Sequence, residues 1–482
     1  MGDVPAKGSL LGNCFPARYQ FAVLGSIAMA IIYGLKVNLS VTMVAMLNHT
    51  ALAISQASNE TDPKEDEAEC KPPPGTSTDA KKVEDGPFDW SEPLQGILLS
   101  CYFWGYLVSQ IPLAHVAENI SAKWVVFFSV AINVVCTILT PILTKLHYGG
   151  LIAMRLLEGI GGGASFPGMH VMIAAWAPIN ERMVISTITY VGTSVGTALS
   201  ILMSGVIAVK FGWEWVFYVM GGLSCIWMIL WIFMVQDNPN KQRFISEQER
   251  ELINDSLGTT GDEEHPPVPW RKVFTSCPFW AIVVAHVCSN CGWYMFLIEI
   301  PFYMKQVLKF NVANNAVLSA LPYVPFFFFS IFIGKLLVVL VTKGKLTTTC
   351  ARKIATSIAS VIPSICLIIL CFIGCRHYEA VGVMSVGIVA MGAMFSGFLS
   401  NHIDIAPNFA GTLMALTNTL ATLPGIIVPL YVGYVTKGNQ TIGAWRLIFA
   451  PTIVLLLVEF VSYLIFGTAK EQPWNNAAAK TS

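Results

Sequence analysis

Apolar runs of about 20 residues recur along the whole of this 482-residue chain. That recurrence constrains the fold more than any other feature, because about 20 apolar residues in helical form match the hydrocarbon thickness of a bilayer. The runs lie near 19–47, 94–116, 123–144, 149–174, 183–208 and 213–235, and again near 278–304, 314–341, 352–374, 379–400, 411–435 and 445–467. In lipid, only helices and closed barrels satisfy their own backbone groups, and barrel strands are half this length. Composition agrees: 54% of residues are hydrophobic and 12% charged, about half the charged share of soluble domains. The spacing predicts an all-α membrane protein with twelve transmembrane helices in two six-helix bundles, 19–235 and 278–467, embedded in a lipid bilayer.

The remaining segments are a tail at 1–18, a linker at 236–277 and a tail at 468–482. Within the linker, Ser246 precedes Glu247 and Glu249, which predicts a short capped surface helix. Lys and Arg gather on the side of both termini, the linker and loops 2–3, 4–5 and 8–9, so both termini are expected in the cytoplasm. The first exofacial loop, 48–92, is acidic and Pro-rich with little apolar content, and is expected to be mostly disordered. Asn48-His-Thr, Asn59-Glu-Thr and Asn439-Gln-Thr are glycosylation sequons, and all three fall on that exofacial side.

A net charge of zero speaks against nucleic acid as a partner. Most of the twelve cysteines lie in apolar runs. Cys288 and Cys291 have CxxC spacing inside a predicted span, without a second pair, and read as packing residues. Cys70 and Cys375 both fall in predicted exofacial loops, where a disulfide is open to them. The N-terminus lacks the pattern of a cleavable signal. Ala6 breaks a myristoylation pattern. It also breaks an acidic dileucine signal before Leu10-Leu11, so the plasma membrane is expected ahead of a lysosomal or vesicular membrane.

Arg155 and Glu158 stand three residues apart on one face of the fourth run, beside Gly159, Gly161, Gly162 and Gly163. Charges at membrane depth cost several kcal/mol and face a bundle interior or a watery cavity, while glycines let a neighbouring helix come close. Lys36 on the first run falls at a similar depth to Arg155. Two cations near one acid favour an anionic substrate, which Arg grips in two parallel hydrogen bonds and Lys meets as a point charge. The competing reading is structural: Lys36 snorkels and Arg155 pairs with Glu158. Glu158, held between desolvation and a guanidinium, is the candidate for ion coupling.

His286, Asn290 and Tyr294 form an i, i+4, i+8 polar stripe on the seventh run, with His286 a second coupling candidate. Tyr106 and Tyr190 are further polar handles for substrate; such residues also serve as helix-to-helix hydrogen bonds. Asn401, His402 and Asp404 fall near a cytoplasmic helix end, where gating contacts are expected. Glu299 is another intramembrane acid, expected to be wet near Pro301; Glu459 and Lys335 are expected to anchor or pair. No Walker A loop, metal cluster or hydrolase triad is found. No enzymatic activity, metal or cofactor is therefore expected, and energy comes from a gradient of sodium or protons.

The chain resembles the anion/cation symporter branch of the major facilitator superfamily, which includes sialin, vesicular glutamate transporters and sodium/phosphate cotransporters. The resemblance rests on Tyr33-Gly-Leu-Lys-Val-Asn-Leu-Ser, Tyr102-Phe-Trp-Gly-Tyr-Leu-Val-Ser-Gln-Ile-Pro, Arg155-Leu-Leu-Glu-Gly and Phe166-Pro-Gly-Met-His. Further along it rests on Trp176-Ala-Pro-Ile-Asn-Glu-Arg, Val268-Pro-Trp-Arg-Lys-Val-Phe-Thr-Ser and Asn401-His-Ile-Asp-Ile-Ala-Pro-Asn-Phe-Ala-Gly. It is closest to sialin-like members and to insect members named for inorganic phosphate cotransport.

The resemblance implies a twelve-helix alternating-access fold and symport of a small anion such as phosphate or an organic carboxylate. The alternatives are a lysosomal proton-coupled exporter of acidic sugars or amino acids and, more remotely, a non-transporting receptor. It also implies that Arg155 and Glu158 hold the family's helix 4 positions, with Lys36 where arginine is usual. Tyr106, Tyr190 and Tyr294 match aromatic positions of the sialin-like cavity. The chain departs from the pattern at Gly162, where sialin-like and glutamate-carrying members have a second acid. Ser289 and Leu99 replace an arginine and a histidine of glutamate carriers, which speaks against vesicular glutamate transport.

Overall fold

A computed structural model describes residues 16–48, 70, 86–178, 182–242, 245–257, 268–406 and 409–475. Among them, eleven helices are long and apolar enough to cross a membrane, and they fall on eleven of the twelve expected runs. The fourth run differs. It is helical over Tyr148–Gly163 and again over Ser165–Trp176, and its glycines, Arg155, Glu158 and His170 make it too polar to count as a span on composition. At the joint, Ala164 N–H donates to Gly161 O at 3.2 Å and Ser165 Oγ to Gly162 O at 2.5 Å, a tightened turn between the two pieces.

In chain order the other spans begin with Ala17–Met46, Glu92–Asn119, Ala122–Leu146, Arg182–Phe211 and Trp213–Met234, the first, second, third, fifth and sixth. The seventh runs from Cys277–Tyr294 through a π turn, Met295–Glu299, into Ile300–Gln306. The ninth is Thr348–Phe372 and the twelfth Ile442–Phe466. The eighth (Val312–Ala320, Tyr323–Thr342), the tenth (His377–Met391, Phe398–Ile405) and the eleventh (Ala410–Ala421, Leu423–Val435) are each in two pieces.

By internal contacts the chain groups into two units, Met1–Lys36 with Gly105–Thr197 and Phe217–Glu264, and Val37–Trp104 with Ala198–Val216 and His265–Ser482. The first unit is built around buried aromatics: Phe21 stacks on Trp176 at 5.7 Å and Trp227 on Trp231 at 4.9 Å. Their indole N–H groups find carbonyls, Trp176 on Gln236 at 3.0 Å and Trp227 on Leu24 at 2.8 Å, as buried Trp requires.

Two helix starts in this unit are capped by distant acids. Asp237 accepts from the Ser121 hydroxyl at 2.8 Å and Lys123 N–H at 2.9 Å. Glu249 accepts from Ala17 N–H at 2.9 Å, Arg18 N–H at 3.1 Å and the Arg18 guanidinium at 3.0 Å. A carboxylate there meets both the orphan N–H groups and the positive end of the helix dipole. Glu249 belongs to the expected linker helix, Glu247–Leu257, whose own start is capped by Ser246 Oγ, 3.3 Å from Glu249 N–H.

The second unit has its core around Phe279, Ala355, Ala359 and Phe398. Cys70 and Cys375, whose pairing the sequence left open, form a disulfide with Cα atoms 5.3 Å apart. Most of the 48–92 loop lies outside the described residues, but its end is held: Phe88 N–H donates to Met46 O at 3.1 Å and Asn48 N–H to Phe88 O at 2.9 Å. Phe88 stacks on Trp90 at 4.4 Å. Of the sequon asparagines, Asn439 is exposed, Asn48 is half-buried and Asn59 lies outside the described residues.

Candidate functional site

In the first unit the fourth span places Arg155 and Glu158 against the first span. Arg155 Nη1 lies 2.7 Å from Glu158 Oε2. The same guanidinium donates to two main-chain carbonyls of the first span, Leu35 O at 3.1 Å and Lys36 O at 2.7 Å. The other carboxyl oxygen, Glu158 Oε1, accepts from Thr137 Oγ1 at 2.8 Å. Arg155 is 2% exposed and Glu158 1%. An ion pair this deep needs further polar contacts to hold together, and Leu35 O, Lys36 O and Thr137 Oγ1 supply three of them.

Glycine sets the spacing. A Cβ on Gly105 of the second span would stand 2.1 Å from Leu156 O, and one on Gly163 would stand 2.7 Å from Tyr106 O. The second span therefore lies against the fourth at backbone distance, which brings Tyr106 to Lys36. The Lys36 ammonium sits 5.0 Å from the Tyr33 ring centre and 5.4 Å from that of Tyr106, within cation–π range. Tyr33 meets Phe166 edge-on at 6.0 Å, Phe166 stacks on Tyr190 at 5.4 Å, and Tyr190 Oη lies 3.1 Å from His170 Nδ1. Tyr33, Phe166 and Tyr190 are half-buried and His170 exposed. A buried cation pair thus backs an aromatic row with an accessible side. Tyr33 and Phe166 were not singled out from the sequence as site residues; only their place in family motifs pointed to them.

The second unit gathers the other candidates, and most are tied into hydrogen bonds between helices. His286 Nδ1 lies 3.1 Å from Thr417 Oγ1, which in turn lies 2.8 Å from His402 Nε2. His402 Nδ1 lies 3.0 Å from Leu399 O. The Thr417 hydroxyl also donates to Met414 O at 3.2 Å, so the two imidazoles and this carbonyl meet at one side chain. Asn290 Nδ2 donates to Ala421 O at 2.8 Å. The expected stripe on the seventh span thus meets a matching i, i+4 pair on the eleventh, while Tyr294 meets the Phe103 ring at 4.7 Å. Asn401 Nδ2 donates to Thr468 O at 3.0 Å and Asp404 pairs with Arg352 at 2.7 Å.

Two acids differ from expectation. Glu299 is 2% exposed rather than wet, and Glu459 is wholly buried. Neither oxygen of Glu459 has a hydrogen-bond partner among the described residues. A group of three or more His, Cys, Asp or Glu side chains placed to hold a metal ion is not found among those residues.

The family profile described as Major Facilitator Superfamily matches residues 20–429. The chain is 37% identical to sialin of Homo sapiens, over 96% of its length and 91% of the relative's. It is 34% identical to a "Putative inorganic phosphate cotransporter" of Drosophila melanogaster, over 96% and 87%. With vesicular glutamate transporter 2 of Bos taurus it shares 30% identity, over 98% and 78%. Among solved structures, a bacterial homologue of the human lysosomal transporter Spinster, inward-facing and unoccupied, superposes with a TM-score of 0.67 at 14% identity, covering 95% of this chain and 99% of that one. A D-xylose–proton symporter gives 0.66 at 12% identity, covering 94% and 99%.

Proposed function

The chain belongs to the Major Facilitator Superfamily, in the branch that holds sialin, phosphate cotransporters and vesicular glutamate transporters, and we propose on that premise that it moves a small anion across a membrane by ion-coupled alternating access. The observation that carries the reading is the buried Lys36–Arg155 pair with Glu158 between membrane helices, beside an aromatic row with an accessible side. Phosphate and organic carboxylates are the substrate classes that two cations and a forked guanidinium recognise. Arg155 and Lys36 attract the anion, and Tyr106, Tyr190, Tyr294 and Asn290 shape its surroundings. Glu158 is the carboxyl group that exchanges its arginine partner for the coupling ion as access alternates, with His286 as a second coupling candidate. Asn401, His402 and Asp404 hold the gating end.

Binding an anion at Arg155 competes with Glu158 for the same guanidinium. Taking the carboxylate's charge away, by a proton or a sodium ion, frees the arginine for the substrate, so ion and anion load together. That exchange is a physical basis for symport, since each ligand raises the affinity of the other.

Both termini are assigned to the cytoplasm from the distribution of Lys and Arg, and the plasma membrane is preferred because Ala6 stands where an acidic dileucine signal ending at Leu10-Leu11 needs an acid. The second reading, proton-coupled export of acidic sugars or amino acids from lysosomes, draws on the 37% identity to sialin. Uptake of radiolabelled phosphate and carboxylates into proteoliposomes, under separately imposed proton and sodium gradients, tests the function. Gradient-driven accumulation of one anion class supports it; no accumulation of either under any gradient contradicts it.

A further inference from the structure

Glu299 ends the π turn of the seventh span, where Pro301 lacks the N–H that would continue the helix ladder. It borders a small cavity of about 20 Å³, room for a single water or small ion. The second span contributes Glu92, Gln95, Gly96 and Leu99 to its wall and the twelfth contributes Trp445, with Thr436 and Gln440 from the connection between the eleventh and twelfth. Three polar atoms at this cavity are buried without a hydrogen-bond partner among the described residues: Glu299 Oε1, Gln440 Oε1 and Trp445 Nε1. The lining holds two carboxyl side chains, Glu92 and Glu299, and neither Lys nor Arg. A buried carboxylate with no cation is costly in a membrane span.

The packing around the cavity is close. A Cβ on Gly96 would stand 2.4 Å from Pro429 O, and one on Gly433 would stand 2.5 Å from Glu92 O. The second and eleventh spans therefore touch at backbone distance along the wall of this cavity.

We propose that Glu299 and this cavity form a second small-cation site of the transporter, in which one proton or one sodium ion neutralises the buried carboxylate. Glu299 supplies the charge and Gln440 Oε1 the neighbouring oxygen; where the cation is a proton, the space holds one water to which Trp445 Nε1 donates. With the charge neutralised, the contact of the second span on the eleventh is stable. With it unneutralised, relief comes from water entering between them, so occupancy and closure of this contact are linked. The proposal rests on the transport reading for its meaning as coupling, but not for the existence of the site.

The test therefore has two readouts on purified full-length protein. The first is thermal stability, measured with sodium against choline at fixed pH and across pH without sodium, in the wild type and in Glu299→Gln. The wild type is expected to gain stability from sodium or from acidification, naming the cation, and Glu299→Gln to lose that response. A wild type that responds to neither, or a variant that responds unchanged, overturns the site. The second is transport: Glu299→Gln is expected to keep anion counterflow without a gradient and to lose stimulation by the gradient of that cation. Full gradient stimulation in the variant overturns the coupling role. Absence of any anion movement in the wild type refutes the transport reading instead, and leaves the stability result to decide the site. Where acidification gives the response, Trp445→Phe, which keeps the carboxyl, separates folding from proton binding: it is expected to weaken that response without abolishing it, and an undiminished response overturns the assigned water.

Discussion

Arg155 and Glu158 meet at 2.7 Å while the same guanidinium reaches across to the carbonyls of Leu35 and Lys36. One side chain therefore joins the fourth span to the first and holds the acid that an anion would have to displace. Arg155→Lys keeps the charge and removes the fork. We expect surface expression close to wild type and uptake reduced at least about tenfold, the effect of losing on the order of 1.4 kcal/mol or more of substrate interaction. Surface labelling with uptake per labelled molecule checks it; undiminished uptake argues for a structural arginine.

The hydroxyl of Thr137 is the second support of Glu158, at 2.8 Å. A hydrogen bond to a charged group contributes about 1.5–3 kcal/mol. Thr137→Val is expected to lower the melting temperature by about 1–3 degrees and to reduce uptake per folded molecule. Loss of stability with uptake per molecule unchanged would confine Thr137 to folding.

The disulfide joins Cys70 to Cys375 across 305 residues of chain. Closing so long a loop removes much freedom from the unfolded chain, a contribution of several kcal/mol at most. Non-reducing peptide mapping is expected to recover the linked peptides. Cys70→Ser, Cys375→Ser and the double variant should lose the same stability, since each removes one bond. Additive losses would show two independent cysteines.

Glu249 caps the first span from the linker helix. Glu249→Ala removes the cap and the ion pair with Arg18, at a cost of about 1–2 kcal/mol. A lower melting temperature and faster proteolysis between the two halves are expected, measured by limited digestion of the purified protein. Resistance equal to the wild type would mean that the linker helix is held elsewhere.

Much of this was legible in the sequence for a physical reason. Span length follows from the bilayer and capping from the orphan N–H groups of a helix start, so the helices and the linker helix with its Ser246 cap could be read directly. The Arg155–Glu158 pair could be read too, because i,i+3 spacing fixes contact on a helix. What could not be read was long-range. Thr137, Leu35 and the aromatic row of Tyr33, Phe166 and Tyr190 come together only through packing between spans. The join at Ala164 depends on local turn geometry that a glycine-rich run leaves open. The burial of Glu299 comes from neighbouring spans that cover it, which its proximity to a helix end does not reveal.

The central claim is that Lys36, Arg155 and Glu158 carry the anion and its coupling ion. Removing one member of a buried pair strands the other, at about 3–5 kcal/mol, so the decisive comparison is the charge-balanced double variant Arg155→Gln/Glu158→Gln beside wild type in proteoliposomes. The account predicts that the double variant folds and reconstitutes, yet accumulates neither phosphate nor carboxylate under a proton or sodium gradient that drives the wild type. Gradient-driven uptake by the double variant at the wild-type rate would contradict it.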